Sequence, residues 1–225
     1  MATVLSERAG GELSFRTRWT VATTIGSLIG GTISGGLILA DQYRYADVTD
    51  AATAVAVSAV GTAVAFGARG VALGATQSVA LRQVVARWPL WFVATAAGWL
   101  LGGLACGAWV GAFGGALTGV GPDYGPIGVV AAFASGVFFL LPLVLQALAL
   151  SGQVARPGRW VPIAAVRQLA AAGVAFPAMV MVGLALRWEF PSAQAWAFAG
   201  VVEGLIEGAL TGPVLLRLVR EPGPG

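Results

Sequence analysis

Residues 77–103 read QSVALRQVVARWPLWFVATAAGWLLGG, and this stretch decides the fold. An apolar run ends at Leu81, a short break carries Arg82 and Arg87, and a second apolar run opens at Trp91. Both runs extend away from the break far enough to cross a hydrocarbon core, which takes about 20 residues of helix. Two apolar runs joined by a short basic break read as neighbouring membrane spans. Working outward, the pattern recurs, with apolar runs at 19–40, 51–81, 91–117, 127–150, 160–186 and 193–216. The interruptions DQYRYADVTD, RQVVARWPL, TGVGPDYGP, SGQVARPGR and RWEFPSAQ are charged or rich in Gly and Pro. The expectation is an all-α membrane protein of six transmembrane helices. Residues 1–18 form a cytoplasmic N-terminal segment, 19–219 the transmembrane domain and 220–225 a cytoplasmic tail. The second run is long and contains Arg69, so it is expected to tilt or to project into water.

Composition points the same way. Hydrophobic residues make up 57% of the 225-residue chain and charged residues 10%, against about 25% charged in an ordinary soluble domain. Mean hydropathy is +0.82. Such a chain lacks the polar surface to cover a core in water; a bilayer removes the need. Gly contributes 33 residues, which membrane helices use for close approach. The net charge of +3 comes from Arg dispersed between apolar runs, which reads as loop charge rather than a nucleic-acid patch. There is no His, which removes the usual general base, metal ligand and haem ligand, and Cys106 stands alone. No metal, cofactor or nucleic-acid partner is expected, and no cleavable signal peptide, because residues 1–18 are polar and the first run is long enough to span.

Orientation follows from arginine. One side holds Arg8, Arg16, Arg18, Arg82, Arg87, Arg156, Arg159, Arg217 and Arg220; the other holds Arg44 and Arg187 beside Asp41, Asp47, Asp50, Asp123 and Glu189. The positive-inside rule puts the Arg-rich side, with both termini, in the cytoplasm of a bacterial cell whose inner membrane the chain crosses. Trp19, Trp88, Trp91 and Trp160 are then expected in an aromatic belt at the inner interface, with Trp188 and Trp196 near the outer one.

The chain also repeats itself. WTVATTIGSLIGG (19–31) aligns without a gap to WFVATAAGWLLGG (91–103), and a weaker copy starting at Trp160 puts Arg167 where the others have Gly26 and Gly98. The hairpin ends echo as Gln77…Leu81-Arg82, Gln146…Leu150-Ser151 and a divergent Leu216-Arg217. Three helical hairpins in the same orientation are expected. A Gly-rich span, Gln, Leu-Arg, a short Arg loop and a Trp opening the next span, over about residues 70–103, resembles a group of uncharacterised bacterial multi-pass membrane proteins. That resemblance implies topology and carries no activity.

Small residues at four-residue spacing share a helix face and let a neighbouring backbone approach. Gly200, Gly204, Gly208 and Gly212 form one such stripe, Gly103, Gly107, Gly111 and Gly115 another, and Gly26, Gly30 and Ser34 a third. These are read as helix-packing faces within the chain, with self-association or another membrane subunit as the competing use. Four ionisable residues remain at membrane depth: Arg69, Arg167, Glu203 and Glu207. Each costs about 2.5–3.5 kcal/mol on insertion scales, so none should face lipid alone. At a rise of ~1.5 Å per residue from the inner interface, Arg167 lies ~10 Å deep, Glu207 ~15 Å, and Arg69 and Glu203 both ~20 Å. Height therefore pairs Arg167 with Glu207 and Arg69 with Glu203, with Gln77, Gln146 and Gln168 completing the hydrogen bonding.

Catalytic patterns are absent. Ser or Cys would have no His partner, and the Gly runs lack the Lys-Ser/Thr of a phosphate loop. The segment Glu203-Gly-Leu-Ile-Glu207-Gly208 resembles the Glu-rich motif of undecaprenyl-pyrophosphate phosphatases, but that family's Ser-rich Gly-His and Pro-Gly-x-Ser-Arg segments are missing. The first functional expectation is a non-catalytic accessory or scaffold subunit of a membrane complex, with the lipid bilayer and other membrane subunits or a second copy as partners. The alternative is a small-molecule or ion transporter, or a substrate-binding membrane component, built on Arg69, Arg167, Glu203 and Glu207. Span number, termini and length resemble the substrate-binding subunits of energy-coupling-factor vitamin transporters, a group that the threefold hairpin repeat does not fit.

Overall fold

The computed structural model describes residues 2–45, 50–118, 137–188 and 192–221. Among the described residues the helices are α1 (Ala2–Tyr45), α2 (Ala51–Leu81), α3 (Trp88–Thr118), α4 (Leu141–Ala149), α5 (Trp160–Leu186) and α6 (Ala193–Arg220), with a 3₁₀ turn at Pro157–Arg159 before α5. Five are long and apolar enough to cross a membrane, over Ser14–Ile38, Ala52–Leu81, Trp88–Ala112, Pro157–Leu186 and Ala193–Arg220. The shortest of these stretches, 25 residues, is ~38 Å of helix, longer than the ~30 Å hydrocarbon core. The expected fourth span, 127–150, is represented by α4; residues 127–136 lie outside the described residues. The first helix also begins well before its expected span, because the segment from Ala2 continues straight into it.

Burial differs from that of a protein that folds in water: polar side chains share the interior with an apolar core, and large apolar side chains cover the outside. Thr23 and Thr95 are fully buried and Gln77, Gln146 and Thr211 nearly so, whereas Val166, Leu169, Phe176, Met181 and Leu184 on α5 are each more than 60% exposed. Interior polar groups with an apolar exterior require an apolar solvent. The chain is a multi-pass helical membrane bundle.

Helix contacts follow chain order and then close, α6 packing back on α1. Glycine makes the tightest of these contacts. On α6, a Cβ at Gly204 or Gly208 would lie 2.7 Å from the Cα of Thr24 or Thr20 on α1, and one at Gly200 would collide with the Ser27 carbonyl. On α3, Gly103 and Gly111 sit similarly against Thr62 and Val55 of α2, and Gly107 against Ser58. Gly26 and Gly30 of α1 abut Leu73 and Arg69 of α2. With little gain from moving an apolar side chain between lipid and protein, backbone approach of this kind supplies the dispersion contacts that hold membrane helices together.

One end of the bundle collects the arginine-bearing turns. Arg18 of α1 donates to Gln83 Oε1 just beyond α2, the Arg87 amide donates to Gln153 Oε1 at 2.7 Å, and Arg159 lies 4.0 Å from Glu221. Beneath them sits the main apolar core, including Phe15, Trp19, Leu81, Trp91, Leu150, Trp160 and Leu215. At the opposite end, Asp50 caps α2 by accepting from the Thr53 hydroxyl at 2.7 Å and its amide at 2.8 Å. These bonds, the hydroxyl's foremost, hold its carboxyl below the usual carboxylate range.

Candidate intramembrane polar site

Two polar layers cross the interior. The first lies just inside the Arg-rich end. Trp91 Nε1 donates to Gln77 Oε1 and Trp160 Nε1 to Gln146 Oε1, each at 3.0 Å and each across 14 residues of chain. Trp19 Nε1 donates to Thr211 Oγ1 at 2.8 Å, which joins α1 to α6. Each glutamine amide then donates backwards, Gln77 Nε2 to Thr23 Oγ1 at 3.3 Å and Gln146 Nε2 to Thr95 Oγ1 at 3.0 Å. The indoles meet edge to face, Trp19 with Trp91 at 5.8 Å and Trp91 with Trp160 at 5.4 Å between centroids.

This layer corrects two expectations. Trp19, Trp91 and Trp160 are buried at 1–2% exposure rather than arrayed in an interfacial belt; of the four tryptophans expected there, Trp88 alone is exposed. The reason is the indole N–H, which finds its acceptor on the neighbouring helix inside the bundle. Gln77 and Gln146 likewise serve the indoles instead of completing ion pairs, because each amide's donor and acceptor are already engaged at that level.

The second layer is charged. Arg69 of α2 places Nη2 2.6 Å from Glu203 Oε1 on α6, with both side chains largely buried, so the bundle holds an intramembrane Arg–Glu salt bridge. The guanidinium also lies 5.0 Å from the centre of the Trp99 ring on α3, a cation–π contact. Trp99 is held from its other sides by Phe66 and Phe139, at 5.8 and 5.6 Å. Glycine makes the salt bridge reachable. A Cβ on Gly30 would stand 2.9 Å from the Arg69 Cα, and Gly200 and Gly204 let α6 ride against α1, so α1 is thin where α2 and α6 reach past it.

Glu207, one turn from Glu203 on α6, is the third member, within the electrostatic reach of both Glu203 and Arg69. Glu203 pairs with the guanidinium directly, and the half-buried Glu207 adds a second carboxyl nearby. Arg69 Nε and the buried Ser27 Oγ on α1 have no hydrogen-bond partner.

The expected pairing of Arg167 with Glu207 does not form: Arg167 is half-buried on α5, its charge lying beside Arg217 near the Arg-rich face. Height along the helices placed the two at similar depths, but rotation about each axis decides which side chains meet, and a long Arg side chain this close to the interface can extend toward it. Gln168, half-buried on the same helix, joins neither layer. The structure thus brings together Arg69, Glu203 and Glu207, gathers Gln77 and Gln146 in the neighbouring layer, and leaves Arg167 and Gln168 apart. Reading the sequence overlooked Trp99, Ser27, Thr23, Thr95 and Thr211. The equal spacing of Gln77–Trp91 and Gln146–Trp160 was the signal that would have found the indole layer.

Among the described residues, no three Cys, Asp or Glu side chains gather into a metal-binding group. Comparison with protein-family models, curated proteins and solved structures finds no match to this chain.

Proposed function

We propose that the chain is a small, non-catalytic membrane transport component whose interior site, Arg69, Glu203 and Glu207, takes up a monovalent cation, the proton included. The observation that carries this reading is the imbalance of two carboxyls, Glu203 largely buried and Glu207 half-buried, against one guanidinium. A structural ion pair needs one partner per charge; an extra buried carboxylate is costly unless a cation meets it. Unpartnered Arg69 Nε and Ser27 Oγ add a donor and a hydroxyl at the same level of the bundle. The scaffold reading is less well supported, because the glycine faces a partner subunit would need are taken up by this chain's own helices.

The indole layer supports a threefold hairpin repeat. Each tryptophan opens a span and bonds to the span before it in the ring, with Gln77, Gln146 and Thr211 in equivalent places and Leu81, Leu150 and Leu215 fully buried four residues on. In that register the third copy ends Leu215-Leu216, one residue earlier than the alignment to Leu216-Arg217. Thr211 can replace Gln there because the position matching Thr23 and Thr95 is Ala164, which offers no acceptor, and its hydroxyl donates to the Glu207 carbonyl instead at 2.7 Å. The charged layer breaks the repeat. The dispersed loop arginines favour the Arg-rich end, sealed by the indoles, as the cytoplasmic side of a bacterial inner membrane.

Charge displacement on a solid-supported membrane tests the function. Proteoliposomes of the full chain receive steps in Na⁺, K⁺ and pH. The expected result is a transient current for at least one of these cations, abolished in Glu207→Gln although the variant keeps its helicity and melting temperature. No response in the folded wild type, or an unchanged response in Glu207→Gln, would sink the proposal.

A further inference from the structure

A groove of about 620 Å³ runs between α1 and α2 at the Arg-rich end. It lies on the outside of the bundle, away from the polar layers. Its wall is apolar and faces the surrounding lipid: Val21, Ile25 and Val79 are 45–58% exposed and line it together. Its mouth is basic, formed by Arg18, Arg82 and Gln83, and among the described residues no carboxylate lines it. Arg18 is tethered there, since one of its nitrogens donates to Gln83 Oε1. A guanidinium has five N–H donors, so the tether leaves the others for an anion. The groove extends from Arg18 to Ile25, ~10 Å of helix, from the interface into the hydrocarbon region.

We infer that this groove binds one anionic phospholipid of the Arg-rich leaflet, the phosphate held between Arg18 and Arg82 and an acyl chain laid along Val21, Ile25 and Val79. Two cations at one mouth select a phosphodiester with net negative charge over a zwitterionic headgroup, whose own ammonium would meet the same arginines. The sideways opening toward lipid selects a ligand that arrives through the bilayer rather than a free phosphate from water. This inference is independent of the interior cation site, because none of its residues belongs to either polar layer.

Native mass spectrometry of the purified full chain, delipidated and then exposed to equal mole fractions of phosphatidylglycerol and phosphatidylcholine, tests it. The expected spectrum shows a single phosphatidylglycerol retained about tenfold over phosphatidylcholine. Arg18→Gln with Arg82→Gln should bring that ratio to about one, whereas Arg87→Gln, on the same face but outside the groove, leaves it unchanged. Val79→Trp, which fills the groove without altering charge, should reduce retention of both lipids and covers the case in which the double variant does not fold. Glycerol phosphate, the headgroup chemistry without a tail, should not displace the bound lipid. Equal retention of the two lipids by the wild type would overturn the inference, as would a preference that survives the double variant, retention indifferent to Val79→Trp, or full displacement by glycerol phosphate.

Discussion

At the Arg-rich end of the bundle three indoles donate to three neutral acceptors, whereas about 12 Å further along α2 one guanidinium faces two carboxyls. The same helices supply both layers. In the first, each donor has an acceptor of matching capacity, down to the exchange of Gln for Thr where a second acceptor is missing. In the second, the charges do not cancel and come from α2 and α6, with α1 between them providing space and the Ser27 hydroxyl. A matched neutral layer has nothing left to bind and serves to fix helix positions. An unmatched charged layer retains binding capacity, at a cost in stability that the packing around it must offset.

That contrast can be broken or sharpened by substitution, with thermal unfolding in detergent as the common measurement. The largest expected effect belongs to Arg69→Leu, which strands the largely buried Glu203 carboxyl and removes the cation nearest Glu207. It should destabilise the bundle by about 3–5 kcal/mol, with part of the loss recovered when Glu203→Gln is added. A loss no greater than that of an exposed control such as Arg87→Gln would mean that water reaches this layer freely. Next is Gly204→Ile, which drives a branched side chain into the Thr24 backbone and should cost about 2–3 kcal/mol. Wild-type melting in this variant would show that α1 and α6 are not in contact there. Gln146→Leu leaves the Trp160 indole N–H without its acceptor and the Thr95 hydroxyl without its incoming donor, for about 2 kcal/mol. Thr211→Val should cost less, because it loses a single indole bond. Equal losses would argue that the two places are not equivalent.

The smallest effect is at the opposite end. Asp50→Ala should speed hydrogen exchange of the Thr53 amide at neutral pH. Because the folded carboxyl pKa is depressed, the cap's contribution is fully present above the unfolded carboxyl pKa and fades as pH falls through the folded one. The difference from wild type should shrink in acid accordingly.

Much of this architecture was legible because lipid imposes simple rules. Run length gave five of the six expected spans, and loop arginines grouped the turns that Arg18, Gln83, Arg87 and Gln153 tie together. A count of residues from the interface placed Arg69 and Glu203 at one height, and they meet. The same count failed for Arg167, because depth is one coordinate and azimuth another, and composition alone leaves azimuth open on helices that are apolar nearly all round. The tryptophans were misplaced for a related reason: a ring with an apolar body and one N–H suits either the interface or a buried acceptor, and only the neighbouring Gln or Thr distinguishes the two. Trp99 carried no signal at all. Its role depends on Arg69 arriving from another helix.

On the proposed reading Glu203 and Glu207 do different work, the first neutralising Arg69 and the second supplying the surplus charge. Comparative melting of Glu207→Gln and Arg69→Gln, prepared in the same detergent, measures that difference directly. Glu207→Gln, which leaves a balanced pair of the same shape, should melt at or above the wild-type temperature while Arg69→Gln melts well below it. Parallel losses in the two variants would contradict that reading, since both residues would then be parts of a single structural ion cluster.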